Sequence, residues 1–207
     1  MKNTLLLLDN LSQGRCIPIY KGKLPMDVTI EDFFRLMDIS RYEVDLKMIL
    51  MNLPHIISWL KNKKNFLPLS EAKNQVPIIW YDQVINFDKI LIHYDGSENS
   101  ALIIHHFMEE MKEQLSNSSV TIISPRSLPK YRLADEQALV KSIQEYAKET
   151  SFIKLNFSKI GEFWSYAIKH DFKLLLTSKS YQDDLLKMMM HFDNQGIWGK
   201  RLSFYLG

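Results

Sequence analysis

Two short polar stretches in this 207-residue chain combine residue types that can hold a ligand: Asp95-Gly96-Ser97 and Thr177-Ser178-Lys179-Ser180. Each follows an aliphatic run. Gly96 lets the backbone turn sharply where a Cβ would clash, and Ser97 or Asn99 can cap a following helix. Asp95 can cap the same turn. It also stands at the carboxyl end of its run, where open parallel sheets bind ligands. The second stretch offers hydroxyl and ammonium donors, or a helix N-cap. Other chemistry-bearing residues point to less. His105 and His106 are neighbours, so on a helix they diverge by about 100° and share no ligand. His93 has no carboxylate or cysteine at metal-ligand spacing, and Cys16 has no identifiable base. Met188-Met189-Met190 and the tryptophans Trp59, Trp80, Trp164 and Trp198 read as core or interface anchors. With no Ser-His-Asp or paired-carboxylate pattern, neither catalysis nor a metal is expected.

The elements that must position the two stretches follow from periodicity. Lys89-Ile-Leu-Ile-His-Tyr94 reads as a buried strand. Ala101, Ile104, Phe107, Met108, Met111 and Leu115 recur at helical spacing after it. Further strands are expected at 119–124, 152–156, 172–177 and 201–206, and helices at 133–150, 160–170 and 180–192. That alternation predicts an α/β fold, an open and mostly parallel Rossmann-like sheet with helices on both faces. Nearer the N-terminus we expect a strand at 4–8 and an extended piece at 15–20, with Pro18 favouring an edge. A short helix is expected over 30–37 with Thr29 as its cap. Residues 44–60 read as one helix kinked at Pro54, or two short ones, followed by a strand at 76–81. A faint internal echo joins Leu5-Leu-Leu-Leu-Asp9 to Leu91-Ile-His-Tyr-Asp95. Another joins Val76-Pro-Ile-Ile-Trp80 to Leu202-Ser-Phe-Tyr-Leu206.

Composition narrows the function classes. The net charge is only +2, so no basic field advertises nucleic acid. Hydrophobic residues make up 46% and aromatics 12%, which suits a packed domain rather than a disordered chain. A single cysteine fits a reducing compartment, and the apolar run at 5–8 is too short for a signal-peptide core or a membrane span. A cytoplasmic protein is expected.

The stretch Phe87-Asp-Lys-Ile-Leu-Ile-His-Tyr-Asp-Gly-Ser-Glu-Asn-Ser100, preceded by Val76-Pro-Ile-Ile79, resembles a tandem universal stress protein. The order of Val120-Thr-Ile-Ile123, Phe152-Ile-Lys-Leu155, Phe163-Trp164 and Phe172-Lys-Leu-Leu-Leu-Thr-Ser178 is similar to that family's second repeat. The resemblance covers 75–207. It implies a shortened, divergent, helix-rich first repeat over 1–86 and a universal-stress-protein-like α/β domain over 87–207. Asp95 then matches the acid that contacts adenine in ATP-binding members. Those members carry a Gly-x2-Gly-x9-Gly-Ser/Thr loop after the fourth strand, where bare N–H groups cradle phosphates. Here Thr177-Ser-Lys-Ser-Tyr-Gln-Asp-Asp184 stands instead, with no glycine from Gly161 until Gly196. Gly196 and Gly199 have the x2 spacing but follow the helix, and Asp183-Asp184 would repel a triphosphate. The resemblance therefore implies a regulatory or interaction module with a degenerate nucleotide site and no bound cofactor. The alternative is a binder of ATP, another adenine nucleotide or a small metabolite, lined by Asp95, Gly96, Ser97, Thr177, Ser178, Lys179 and Ser180. A shortened first repeat leaves a face that a homodimer or protein partner would cover; no membrane or nucleic acid partner is expected.

Overall fold

The structure is a computed structural model that describes residues 15–20, 28–29, 46–62, 77–82, 84–195 and 202–207. Its strands are β1 Arg15–Tyr20, β2 Val28–Thr29, β3 Leu46–Asn52, β4 Ile78–Tyr81, β5 Lys89–His93, β6 Ser119–Ser124, β7 Glu149–Lys154, β8 Leu174–Thr177 and β9 Ser203–Leu206. They form one sheet in the order β2-β1-β3-β4-β9-β8-β5-β6-β7. The helices are α1 Leu53–Asn62, α2 Glu98–Leu115, α3 Leu133–Gln144, α4 Ile160–Lys169 and α5 Gln182–Asn194. From β9 to β7 every neighbouring pair is parallel. β5 lies in the middle, between β8 and β6.

The strands read as continuous apolar runs because both faces of the sheet are covered. Alternate residues of one run enter different cores. Ile90 and Ile92 join a cluster with Ile104, Phe107, Met108 and Leu115 of α2 and Leu139 and Ile143 of α3. Leu91 joins the other, with Ile56 of α1, Phe163 and Trp164 of α4, and Leu185 and Met189 of α5. The same alternation splits Leu174 and Leu176 from Leu175, and Tyr205 from Phe204 and Leu206. An α/β fold with helices on both faces is what the alternation of strand and helix patterns predicted.

The N-terminal part extends this sheet. β3 runs parallel to β4, and β4 pairs antiparallel with β9 in the register Ile78↔Leu206, Ile79↔Tyr205 and Trp80↔Phe204. The echo between 76–80 and 202–206 thus joins two strands that lie against each other, each closing a strand–helix–strand unit (β3-α1-β4 and β8-α5-β9). β1 pairs antiparallel with β3. Among the described residues its neighbour β2 reaches only Arg15 and Cys16, so Pro18 pairs there on the β3 side alone and needs no second donor.

Two expectations are corrected. Residues 44–60 are not a kinked helix: Leu46–Asn52 is a strand and the helix starts at Leu53. The run Leu-Lys-Met-Ile-Leu-Met-Asn has too few polar residues to reveal its period. Burial beside β4 selects the strand, and Pro54 falls in the first turn of α1, where a missing N–H costs nothing. The helix expected over 133–150 ends at Gln144, and Glu149–Thr150 already pair with Ser119–Val120. Its apolar period stops at Ile143, after which the chain is drawn into the sheet. Thr29 ends β2. The strand at 4–8, the helix over 30–37, and Gly196 and Gly199 lie outside the described residues.

Candidate functional site

The helices after β5 and β6 pack on one face of the sheet, and those after β7 and β8 on the other. β5 and β8 are neighbours whose following helices leave in opposite directions. That is a topological switch point, the place beyond the carboxyl ends of strands where open α/β sheets bind ligands. Asp95-Gly96-Ser97 leaves β5 here, and Thr177-Ser178-Lys179-Ser180 leaves β8. The structure brings the two predicted stretches to the same end of adjacent strands.

At the β5 end the groups are committed to building the turn. Asp95 Oδ1 accepts from Ser97 N at 2.8 Å and from Ser100 Oγ at 2.6 Å. Ser97 is the N-cap of α2, its Oγ accepting from Ser100 N at 3.0 Å. Burial alone would raise the Asp95 pKa. The hydrogen bonds from Ser100 and Ser97 outweigh it and hold the carboxyl below its usual value. Gly96 has φ +84°, and a Cβ there would overlap Leu128 Cδ2. Glycine is required at this position on both counts. Arg132 Nη1 donates to Gly96 O at 2.7 Å. Leu128 and Arg132 therefore close the 125–132 loop over the turn.

At the β8 end the backbone donors are used internally. Lys179 N donates to Gly207 O at 2.9 Å, Ser180 N to Ser178 Oγ at 3.2 Å and Tyr181 N to Ser178 O at 3.2 Å. Ser178 caps the single 3-10 turn Lys179–Tyr181, which feeds directly into α5. Ser178 follows the N-cap reading, and Ser180 Oγ donates to Ser178 Oγ at 3.0 Å. Lys179 is half-buried, and burial pushes its ammonium down to about 8.

Between the two ends lies a group that sequence reasoning weighed only as a metal ligand. His93 Nδ1 is 2.9 Å from Thr177 Oγ1, joining the tips of β5 and β8. Thr177 is 1% exposed and His93 9%. The imidazole lies 4.0 Å from the Phe163 ring and 5.1 Å from that of Tyr181, centroid to centroid. Burial drives its pKa down to about 4, against the opposing pull of Asp95, so the ring is neutral near pH 7. Nothing in the sequence assigns Phe163, Tyr181, Leu128 or Arg132 to the site. Phe163 and Tyr181 belong to elements distant in sequence, and no period in the chain links them to His93.

A second polar cluster sits at the ends of β6 and β7. Glu136 of α3 is 5% exposed and accepts from Lys154 Nζ at 2.5 and 2.7 Å. Ser124 Oγ also donates to Glu136, and Lys154 Nζ lies 3.2 Å from Ser124 Oγ. A paired, hydrogen-bonded carboxylate of this kind is a satisfied buried charge. Among the described residues, no group of three or more His, Cys, Asp or Glu side chains could hold a metal ion.

No protein-family profile and no curated protein sequence matches this chain. Solved structures do. A universal stress protein from Archaeoglobus fulgidus DSM 4304 is similar with a TM-score of 0.51 and 11% identity, over 90% of this chain and 67% of that one. That span is more than residues 87–207 alone could supply. A universal stress protein in complex with cAMP matches over 51% of this chain and 89% of its own, with a TM-score of 0.38 and 11% identity. A universal-stress-family protein from Burkholderia pseudomallei matches over 49% of this chain and 89% of its own, with a TM-score of 0.35 and 12% identity. At such identities the likeness is one of fold.

Proposed function

We propose that this chain, which has the universal stress protein fold, is a non-catalytic regulatory or interaction module that holds no ATP. The observation that carries the reading is the fate of the donors after β8. The N–H groups of Lys179, Ser180 and Tyr181, which an anion would need, already bond to Gly207 and Ser178. The aromatic rings around His93 support it, because Phe163 and Tyr181 pack on the imidazole at the carboxyl ends of β5 and β8. No helix among the described residues is long and apolar enough to cross a membrane. The reading places the module in the cytoplasm, in keeping with one cysteine in the sequence.

Thermal unfolding with and without millimolar Mg-ATP tests this. A ligand at 100 times its Kd adds about 2.7 kcal/mol, or roughly 5–10 °C in a chain of this size. We expect no shift; a rise of several degrees overturns the reading. A second reading, a nucleotide or small metabolite held at Asp95, is favoured by one observation: the carboxylate is exposed at the carboxyl end of β5 and its pKa is held low. Under that reading Asp95→Ala abolishes any ligand-dependent rise while the unliganded protein still folds. A rise that survives the substitution removes Asp95 from the account.

A further inference from the structure

α4 and α5 pack together through two stacked contacts. Trp164 meets Phe192 with ring centroids 5.5 Å apart and planes at 63°. One turn earlier on each helix, Gly161 meets Met188. A Cβ on Gly161 would lie 3.2 Å from Met188 Cε and 3.3 Å from Met188 Sδ, so the methionine tip fills the notch that the missing side chain leaves. Met188 is nevertheless half-buried rather than sealed. The other methionines of the described residues divide clearly. Met48, Met51, Met108 and Met189 are at most 2% exposed and Met111 8%, so an oxidant in water reaches them only when the fold opens. Met190 is half-buried like Met188, but it stands about 200° further round α5, away from Gly161. The seam also bears on the strand ends. Phe163, two residues after Gly161 on α4, packs on the His93 ring, and so does Tyr181, the residue before α5.

We infer that Met188 is a site of reversible oxidation, and that its sulfoxide breaks the α4–α5 seam. An oxidant of the peroxide class supplies the oxygen. The sulfur lone pair attacks one oxygen of hydrogen peroxide, and the O–O bond breaks. The leaving hydroxide then takes the proton from the transferred oxygen. The sulfide becomes a sulfoxide by losing two electrons, and the peroxide is reduced to water. A methionine sulfoxide reductase reverses the step with two thiols, giving sulfide, water and a disulfide. The structural consequence follows from where the oxygen must go. The notch has no room for another atom beside Sδ on the Gly161 side. The S–O bond also sets a strong dipole beside the rings of Trp164 and Phe192, where it loses its hydration. The oxidised side chain turns out to water, and the seam loses its contact at Gly161. Apolar packing between the helices is what the thioether supplied and the sulfoxide cannot. The inference does not depend on whether a nucleotide binds.

The test exposes the folded full chain to millimolar hydrogen peroxide and follows it by peptide mass spectrometry and thermal unfolding. A gain of about 16 Da is expected at Met188 and Met190 well before Met189, which shares their helix but is sealed. The melting temperature of the wild type should fall by several degrees and recover after treatment with methionine sulfoxide reductases and dithiothreitol. Met188→Leu should abolish that fall, and Met190→Leu should keep it; the remaining methionines are common to all three proteins. Gly161→Ala, which pushes the thioether out of its notch, should speed oxidation at Met188 and not at Met190. A Met188 that reacts no faster than Met189 overturns the inference. So does a Met188 sulfoxide that leaves the melting temperature unchanged, or a fall that survives Met188→Leu. An unaltered Met188 rate in Gly161→Ala would show that the glycine notch does not shelter the sulfur, and the seam would then carry nothing.

Discussion

The neutral, buried His93 makes stability depend on pH in a window that can be worked out beforehand. Its pKa falls from 6.5 to about 4 on folding, because burial penalises the imidazolium. Above pH 6.5 the ring is neutral in both states, and its packing on Phe163 is fully available. As pH drops through 6.5 the unfolded chain takes up a proton that the folded ring refuses until about 4. The unfolded state then binds more protons, so stability falls with pH. The full effect is roughly 3 kcal/mol, of which about 2.5 kcal/mol is lost near pH 4.5. Urea unfolding at pH 7 and near pH 4.5 measures it, taking the midpoint at constant m. The comparison protein is His93→Phe/Thr177→Val, which keeps an aromatic ring and leaves no orphaned hydroxyl. The other titrating groups are common to both proteins, and apart from Asp95, which interacts with the imidazole, they cancel in the difference. The wild type should lose about 2–3 kcal/mol more than the variant. Equal losses, within about 0.5 kcal/mol, would show that the ring is not desolvated between β5 and β8 and would refute the description of the site.

Gly96→Ala should cost about 1–3 kcal/mol, combining a positive φ with overlap on Leu128. In a Leu128→Ala background the cost of the same substitution should fall to the backbone part, about 1 kcal/mol; an unchanged cost in denaturation would exclude the overlap. Glu136→Ala should cost about 2–3 kcal/mol by leaving Lys154 unpaired, while Glu136→Leu/Lys154→Met restores most of it, and a double variant no better than the single one counts against a buried pair. For Lys179, the folded protein sheds its proton near pH 8 and the unfolded chain near 10.5, so wild type should gain stability relative to Lys179→Met across that window. A constant difference between the two would mean that the ammonium is still in water.

The β/α alternation from Lys89 onward is legible in the residues alone. Runs such as Lys89–His93 can bury both faces only in the middle of a covered sheet, and helix-spaced residues from Ile104 to Leu115 supply one cover. The Asp95-Gly96-Ser97 turn is legible in the same way, because Asx and N-cap chemistry and a positive φ are properties of adjacent residues. Local information failed at Leu46–Asn52, where an unbroken apolar run has no period and pairing with β1 and β4 selects the strand. The surroundings of the strand ends, by contrast, come from the packing. His93, Thr177, Phe163 and Tyr181 meet because β5 and β8 are neighbours and α4 lies across them. Likewise, Lys179 N is satisfied by Gly207 because β9 ends beside β8. Burial, and with it the charge on His93 and Lys179, is a property of what surrounds a side chain, and those surroundings come from strands that the chain order alone does not place side by side.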